Sequence, residues 1–185
     1  MTDPRPPSRA QACAIRDSRD DDLPSMQALY AHHVRHGTAS FELEPPTLAE
    51  LARRRAAVLA DRQPWLVAED EGGRVLGYAY AGAFRPRPAY RHTVEDSIYL
   101  APDAIGRGIG KDLLRALLVR CEAQGARQMV AVIGDSANAA SIALHAACGF
   151  RMAGLVRSAG WKFGRWLDVV MMQRELGPGD RGPPG

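Results

Sequence analysis

The sequence predicts a mixed α/β fold, in which helices cover both faces of a mostly antiparallel central sheet. First, strand and helix patterns follow one another in the order strand, two helices, three strands, helix, strand, helix and two strands. Second, two strands are joined by DEGGR, a turn typical of an antiparallel β-hairpin. Third, residues 129–133 are apolar throughout, as expected for a strand covered on both sides. This order argues against a doubly wound nucleotide-binding fold, whose sheet is mostly parallel.

The N-terminal part of the chain predicts a disordered leader, a short strand and a first helix. Residues 1–11 are rich in proline and arginine, and residues 12–16 have the pattern of a short strand. Residues 20–22 are all aspartate, which suits a helix start, and apolar residues follow at helical spacing as far as Gly37. This helix carries a group of histidines near its end, His32, His33 and His36. No Cys or acidic residue has matching ligand spacing, so we expect solvated histidines and no metal.

The next segment predicts a second helix and a hairpin that ends in a basic loop. Thr47 and Glu50 form the Thr-x-x-Glu pattern of a helix start, after the irregular stretch 40–46. Residues 65–69 and 75–84 are the two strands of the hairpin. The loop after them contains Arg85, Arg87, Tyr90 and Arg91. Guanidinium groups bind carboxylates through paired hydrogen bonds, so this loop is a candidate site for an anionic substrate. A solvated basic loop is the equal alternative.

Residues 93–100 predict a strand that contains two acidic residues, Glu95 and Asp96. Charged side chains inside a strand mostly face solvent or take part in chemistry. Alternation places Glu95 on one face with Ser97 and Tyr99, and Asp96 on the other face with apolar residues. Alternation alone does not decide which face meets a cleft. Each acid is therefore either an exposed or ion-paired strand residue or a group that takes part in chemistry.

A glycine-rich turn follows this strand and leads into a leucine-rich helix. Gly106, Gly108 and Gly110 leave the backbone free of side-chain bulk, and N–H groups at a helix start attract phosphate. The turn therefore predicts a site for a phosphate-bearing cofactor, or else a glycine-rich connection without a ligand. GRGIG is not GxGxxG, and Lys111 is followed by Asp112 rather than by the Ser or Thr of a Walker loop. Both of those nucleotide motifs are disfavoured.

The C-terminal third predicts a short helix between strands. Asn138 caps a helix that ends before Gly149, and further strands are expected near residues 152–156 and 167–173. The final residues are rich in Pro and Gly and predict a disordered tail. The chain therefore divides into a leader at 1–11, one domain at 12–176 and a tail at 177–185.

Composition restricts the functional classes. The chain has 185 residues, 46% hydrophobic and 24% charged, which suits one soluble globular domain. The formal net charge of +3 comes from scattered basic residues, so nucleic acid is not a favoured partner. The three cysteines show no CxxC spacing, no apolar run is long enough to cross a membrane, and the N-terminus has no apolar signal-peptide core. We expect a reduced, cytoplasmic protein.

Several of these motifs together resemble those of the GCN5-related N-acetyltransferase (GNAT) family. Residues 105–110, IGRGIG, fit the family's acetyl-CoA loop, Gln/Arg-x-x-Gly-x-Gly/Ala, except that Ile105 stands at the Gln/Arg position. Asn138, Ser141 and the Gly-Phe pair at 149–150 match a second signature of the family. The backbone of the acetyl-CoA loop is kept, and one side chain of its pattern is missing.

A histidine narrows the resemblance to one subfamily. His145 occupies the place where many family members carry tyrosine. With the stretches FELEPP, RPAYRHTVEDSIYL, NAASIALH and GWKFGRWLDV, it makes the chain similar to phosphinothricin and methionine sulfone or sulfoximine acetyltransferases. The resemblance covers residues 15–176.

The resemblance implies a GNAT fold, a homodimer, no metal, and transfer of an acetyl group from acetyl-CoA to the α-amine of a small amino acid or analogue. Glu95 and His145 match the two positions proposed as catalytic in the subfamily. Glu95 is then the candidate base that takes the proton of the amine, with an exposed or ion-paired strand residue as the alternative. Acetyl-CoA is expected to contact the strand end, the glycine-rich turn and the next helix, at Ile98, Tyr99, Leu100, Gly106, Arg107, Gly108, Ile109, Gly110, Lys111, Asn138 and Ser141. The amino acid is expected to contact charge-assisted donors and one aromatic ring, at Phe41, Arg85, Arg87, Tyr90 and Lys162.

Two alternatives stay open. A GNAT enzyme can act on another amine, such as a polyamine, an aminoglycoside or a protein N-terminus. A cationic substrate calls for an acidic pocket, however, and the loop at 85–91 is basic. The chain could also be a CoA-binding module without catalysis, against which the presence of both Glu95 and His145 argues.

Overall fold

The computed structural model describes residues 13–184, so the predicted leader at 1–11 lies outside the described residues. The described part forms seven strands and four α-helices. In chain order these are β1 (Ala14–Asp17), α1 (Leu23–His36), α2 (Leu48–Ala60), β2 (Trp65–Glu69), β3 (Val75–Ala83), β4 (Thr93–Leu100), α3 (Ile109–Ala123), β5 (Gln128–Gly134), α4 (Ala139–Ala147), β6 (Arg151–Lys162) and β7 (Arg165–Glu175).

The strands form one sheet in the order β1-β2-β3-β4-β5-β7-β6. Neighbouring strands run antiparallel except β4 and β5, which run parallel and are connected through α3. The predicted mixed, mostly antiparallel sheet is confirmed. Its single parallel pair lies at the centre of the order, beside the glycine-rich turn.

One face of the sheet is aromatic and is covered by α1, against which α2 packs. Trp65 stacks on Tyr80 with ring centroids 4.1 Å apart, and its indole N–H donates to the sulfur of Met26 on α1. Tyr30 of α1 meets Tyr99 of β4 edge to face at 4.9 Å. Aromatic pairs of this geometry add to the stability that area burial provides. The odd-numbered residues of β4 therefore face α1.

The opposite face of the sheet is covered by α3 and α4. The predicted leucine-rich stripe of α3 is buried there, namely Leu113, Leu114, Leu117, Leu118 and Cys121. α3 begins so close to β4 that a Cβ added at Gly110 would lie 3.1 Å from the Leu100 side chain. The even-numbered residues of β4 therefore face α3 and α4, as alternation requires.

The C-terminal hairpin differs from the sequence prediction. β6 was expected near 152–156 as part of the core, but it continues to Lys162, and most of its residues are exposed. The segment GWKFGRW is part of this hairpin, because Trp161 pairs with Trp166 across it. β6 is an edge strand, and its exposed face includes Leu155 and Trp161.

The described part of the tail makes contacts with the domain. Residues 177–182 form turns and bends, and the Arg127 guanidinium donates to the carbonyl oxygens of Gly179 and Gly182. The division of the chain into leader, domain and tail stays a prediction. Among residues 13–184, no helix combines the length and the apolar character that crossing a bilayer needs.

Candidate active site

The site is built around a gap between the two parallel strands. The paired register of β4 and β5, as the structure describes it, runs from Thr93 and Gln128 to Asp96 and Ala131. Beyond this point β4 stays paired with β3, and β5 stays paired with β7, so the two parallel strands separate. A small cavity of about 50 Å³ lies where they part.

Main-chain groups of β4 face this gap. The Phe84 N–H donates to the Thr93 carbonyl, which shows that the odd-numbered residues of β4 bond to β3. Because hydrogen-bonding direction alternates along a strand, the N–H and C=O groups of Ile98 and Leu100 point toward the gap. The Leu100 carbonyl is bonded to His33, whereas both main-chain groups of Ile98 and the N–H of Leu100 are available to pair with an extended ligand, as strand edges do with peptides.

Helix α3 starts beside the gap with a turn that only glycine adopts easily. Gly106 and Gly108 have φ values of +79° and +85°, in the left-handed region. Both glycines line one cleft at the start of α3, together with Gly110 and Lys111. Arg107 lies in the turn between the two left-handed glycines. The turn combines a helix N-terminus with a lysine, which is the arrangement that binds phosphate groups.

The structure brings most of the predicted acetyl-CoA residues together. Ile98, Leu100, Gly106, Gly108, Gly110, Lys111, Asn138 and Ser141 line one cleft, and Tyr99 lines the cavity that continues it. The side chain of Ile109 is 3% exposed and belongs to the core, so the contact expected for this residue is one with its main chain. The main chain of Tyr99 bonds to β3 by the same alternation. Of the neighbouring residues Tyr99 and Leu100, only Leu100 therefore directs its N–H at the gap.

Asn138 holds the start of the helix on the far side of the cleft. Its side-chain oxygen accepts from the Ser141 N–H at 3.2 Å, which confirms the predicted N-terminal cap of α4. The cap satisfies one N–H group of the first turn of α4. Both side chains line the cleft.

One of the histidines on α1 belongs to this site. His33 lies with its Nε2 2.8 Å from the Leu100 carbonyl oxygen, and it lines the cleft. The expectation of three solvated histidines was therefore wrong for His33. Burial lowers the pKa of His33, so the ring favours its neutral form and donates its Nε2–H to the carbonyl. Helical spacing places a histidine on a face of α1, but the contact depends on how α1 packs on β4.

Glu95 lies on the α1 face of β4, in partly buried surroundings. Burial raises its pKa, the negative charge of Asp96 acts in the same direction, and the positive charge of Arg85 opposes them. A carboxylate with a raised pKa binds a proton more readily, which is what a general base requires. The prediction of Glu95 as a candidate base thus has physical support.

His145 lies on the other face of β4 and is paired with the second acid. Its Nε2 lies 3.0 Å from Oδ2 of Asp96, and its Nδ1 lies 2.7 Å from the Ser141 carbonyl oxygen. His145 as a residue is 2% exposed. Asp96 was not among the predicted site residues. Its position among apolar neighbours on one face of the strand was the signal for it.

The predicted substrate residues fall into two groups. Arg85, Arg87 and Tyr90 are exposed on the loop after β3, where Tyr90 meets Phe84 edge to face. Phe41 is 36% exposed and lies over the backbone of β5 and β6. A Cβ added at Gly134 or Gly160 would lie 2.9 Å or 2.5 Å from carbon atoms of its ring. Phe41 therefore forms a wall beside the end of β5.

Lys162 has a different role from the predicted one. Its ammonium is buried and donates to the carbonyl oxygens of Gly37 at 2.9 Å and Ser40 at 2.7 Å. Two of its three donors are thus used by the protein itself, and burial lowers its pKa. Lys162 thus stabilises the loop after α1, which carries Phe41.

A polar network that the sequence does not predict lies behind Phe41. The Tyr30 hydroxyl lies 2.8 Å from Ser40 Oγ and donates to Glu42 Oε1 at 3.0 Å. Arg54 donates to the same carboxylate oxygen at 2.6 Å. This network joins α1, α2 and the loop, so it fixes the wall of the site. Within residues 13–184, no group of three or more His, Cys, Asp or Glu residues is arranged to hold a metal ion.

Comparison with known proteins gives consistent matches. A family model described as an acetyltransferase (GNAT) domain matches residues 15–171. The phosphinothricin N-acetyltransferase of Alcaligenes faecalis is 59% identical over 169 residues, covering 91% of this chain and 85% of the relative. An L-methionine sulfoximine/L-methionine sulfone acetyltransferase of Pseudomonas aeruginosa is 44% identical over 167 residues, covering 90% and 96%.

A solved structure has the same fold. It is a GNAT superfamily phosphinothricin acetyltransferase from Sinorhizobium meliloti in complex with acetyl-CoA. The two chains superpose with a TM-score of 0.91 at 50% identity, and the match covers 94% of this chain and 93% of the other.

Proposed function

The chain belongs to the GNAT acetyltransferase family, and from this premise we propose that it acetylates the α-amine of a small amino acid or analogue of the phosphinothricin or methionine sulfone/sulfoximine type. Acetyl-CoA is the acetyl donor. Relatives that act on such compounds match this chain over almost its whole length, which supports the substrate class.

The observation that carries the proposal is the separation of β4 and β5 beside the glycine-rich turn. The diphosphate of acetyl-CoA fits the N–H groups at the start of α3, together with the Lys111 charge. Its pantetheine arm fits the gap, where Ile98 and Leu100 offer main-chain hydrogen bonds. Acetyl-CoA supplies an activated acetyl group, and this arrangement directs that group toward the point at which the strands part.

Glu95 is proposed to act as the general base. An α-amine is mostly protonated near neutral pH, with a pKa of about 8, and must lose a proton before it can attack. Glu95 is partly buried beside the gap, and its raised pKa makes it a better proton acceptor. The main-chain N–H of Leu100 is placed to donate to the acetyl oxygen as negative charge develops on it.

His145 is proposed to act on the departing sulfur, from the opposite side of β4. The CoA thiolate leaves with a negative charge, and a cationic or proton-donating group lowers the cost of that charge. His145 lines the cavity at the start of the gap. His145 and the base would thus approach the thioester from the two faces of one strand.

Arg85, Arg87 and Tyr90 are proposed to bind the polar ends of the amino acid. Arginine donates two parallel hydrogen bonds to a carboxylate, phosphinate or sulfone oxygen pair. Arg85 is close enough to Glu95 for its charge to oppose the rise in that residue's pKa, so the loop adjoins the base. Phe41 would cover the methylene chain. A polyamine substrate fits this basic loop less well.

A homodimer in the cytoplasm is proposed as the working form. The face of the β6–β7 hairpin exposes Leu155, Trp161 and Trp166, which suits an interface between subunits. Cys13, Cys121 and Cys148 are free thiols, consistent with a reducing compartment. Light scattering of the wild type and of Trp161→Glu tests the dimer. A wild-type monomer would contradict it.

Thiol release from acetyl-CoA tests the proposed reaction. Phosphinothricin, methionine sulfone and methionine sulfoximine form the first group of substrates, and spermidine and an aminoglycoside form the second. We expect turnover with the first group, slow turnover with the second, and acetylation at the α-nitrogen by mass spectrometry. Acetyl-CoA binding without turnover of any amine would overturn the enzymatic proposal.

A further inference from the structure

Both nitrogens of the His145 ring face hydrogen-bond acceptors. The carbonyl oxygen of Ser141 lies 2.7 Å from Nδ1 and can only accept, so Nδ1 carries a proton. Oδ2 of Asp96 lies 3.0 Å from Nε2, and an ionised carboxylate also only accepts. With Asp96 charged, the ring is therefore protonated on both nitrogens and is an imidazolium.

Asp96 is buried together with its partner. It is 6% exposed, and its second oxygen, Oδ1, has no hydrogen-bond partner among the described residues. A buried carboxylate is costly unless it is paired, and His145 supplies the pairing charge. Asp96 also lines the cavity where β4 and β5 separate. The pair thus lies at the start of the proposed acetyl-CoA gap.

The surroundings favour the ion pair. β5 contributes the apolar residues Met129 and Ala131, and the Phe150 ring meets His145 edge to face at 5.1 Å. Burial disfavours the charged ring, but the hydrogen bond and charge of Asp96 and the Ser141 carbonyl outweigh it, so the pKa of His145 is raised. The charge of Asp96 also reaches three other ionisable groups, namely Glu95 on β4, Cys121 on α3 and Cys148 after α4.

We propose that Asp96 is a positioning residue that keeps His145 doubly protonated, so that a fixed imidazolium stands beside the strand gap throughout acetyl transfer. The proposal rests on the proposed function, because it assumes that the thioester lies in this gap. Loss of the Nε2 proton would leave two acceptors facing each other at the 3.0 Å distance of the present hydrogen bond. His145 therefore keeps this proton, and it stabilises the departing thiolate by its charge rather than by donating a proton.

The protonation state can be measured without turnover. Nitrogen-15 NMR reports the protonation state of each histidine ring. It is recorded at pH ~8, which is well above the unperturbed histidine pKa of about 6.5. His145 is assigned by comparison with His145→Gln. We expect both ring nitrogens of wild-type His145 to be protonated at this pH, and only one of them in Asp96→Asn. A neutral His145 in the wild type would overturn the proposal.

Kinetics then test whether the charge matters. In Asp96→Asn the neutral ring keeps its Nδ1 proton for the Ser141 carbonyl, and the amide N–H of the new side chain can donate to the bare Nε2, so the shape is kept while the charge is removed. We expect kcat to fall about tenfold or more at pH ~8, with a smaller loss at pH ~6 and an unchanged KM for acetyl-CoA. Asp61→Asn, at the exposed end of α2, is the matched control and should retain the wild-type profile. An equal loss at every pH would show a structural role and overturn the proposal.

Two safeguards keep the outcomes separate. If Asp96→Asn does not fold, the wild-type spectrum still decides the protonation state, and Asp96→Ser provides a second uncharged variant. Failure of the proposed function would appear as a wild-type protein that releases no thiol with any amine. The NMR result does not depend on that activity.

Discussion

Glu95 and Asp96 are neighbours in β4, and their side chains point to opposite faces of the sheet. Glu95 faces α1 and feels the charge of Arg85, whereas Asp96 is hydrogen-bonded to His145 of α4. The parallel ladder of β4 and β5 ends at Asp96, so the gap opens directly after these two acids. One strand thus presents a candidate base to one side of a bound thioester and a histidine–carboxylate pair to the other.

Glu95→Gln should lower kcat about 100-fold, because a positioned general base typically contributes a factor of about 10²–10⁴. The KM for acetyl-CoA should change little, since Glu95 faces away from α3 and the glycine-rich turn. Because the pKa of Glu95 is raised, the acid limb of the wild-type kcat/KM profile should lie above the ordinary glutamate value, and activity should fall as pH drops through it. Steady-state kinetics across pH measure both effects.

Glu71→Gln, in the exposed turn between β2 and β3, is the control for this experiment and should behave as the wild type. If Glu95→Gln retained wild-type kcat and an unchanged acid limb, another group would have to be the base.

Elements with strong local signals could be predicted from the sequence. The strand predicted at 93–100 is observed as Thr93–Leu100, and the predicted Thr47 cap is present. The glycine-rich turn was also predictable, because left-handed backbone strongly favours glycine. The alternation of residues along β4 and the glycines of the turn therefore predict the position of the gap and of the start of α3.

Contacts between distant segments could not be predicted in the same way. Asp96 and His145 are 49 positions apart, and their pairing depends on how α4 packs on β4. Lys162 bonds to Gly37 and Ser40 across more than 120 positions, so a lysine that suited a substrate carboxylate is held by carbonyls instead. The extension of β6 depends on cross-strand pairs such as Trp161 with Trp166, which no pattern within one strand reports.

Gly108→Ala should weaken acetyl-CoA binding and lower stability. The residue has φ of +85°, and a side chain in the left-handed region costs about 1–2 kcal/mol. We expect the free energy of unfolding, measured with urea, to fall by that amount. We also expect the KM for acetyl-CoA to rise about tenfold, because a tenfold change corresponds to a loss of ~1.4 kcal/mol in binding. Gly108→Asn should be milder, because asparagine tolerates this conformation.

The control for Gly108→Ala is Gly154→Ala in β6. An added Cβ there meets no described atom within 4 Å, and the backbone is outside the left-handed region. Equal effects of the two substitutions on the KM for acetyl-CoA would contradict a special role for the turn.

Gly160→Ala should disturb the amino-acid site through Phe41. The new Cβ would lie 2.5 Å from two carbon atoms of the Phe41 ring, so the ring has to move. We expect the KM for the amino acid to rise several-fold while the KM for acetyl-CoA is unchanged. Gly154→Ala lies in the same strand and again serves as control. A rise in both KM values would contradict an effect limited to Phe41 and the amino-acid site.

Lys162→Met should loosen the loop after α1. The substitution leaves the carbonyls of Gly37 and Ser40 without their shared donor, and a lost hydrogen bond to a charged group costs about 1.5–3 kcal/mol. We expect a loss of about 2 kcal/mol in the free energy of unfolding, measured with urea. The chain's other lysine provides the control, since Lys111→Met should change stability by less than about 0.5 kcal/mol. Equal stabilities of the two variants would contradict a structural role of Lys162.

Glu95→Gln should also make the protein more stable near neutral pH. The folded-state pKa of Glu95 is raised, first by burial and then by Asp96, so folding penalises the charged carboxylate. Below the unfolded-state pKa of about 4.3, Glu95 is neutral in both states and the protein has its full stability. This stability is lost as the pH rises through the folded-state pKa, because the carboxylate then becomes charged in the folded protein. Above the folded pKa the wild type carries the penalty of a charged, buried carboxylate, which the neutral amide removes. The Tm difference between Glu95→Gln and the wild type should therefore be positive at pH 7 and shrink toward acidic pH, with about 2–4 °C for each ~1 kcal/mol.

Thermal unfolding across pH, with Glu71→Gln as control, measures this difference. A variant less stable than the wild type at pH 7 would mean that the attraction of Arg85 outweighs the cost of burying the charge.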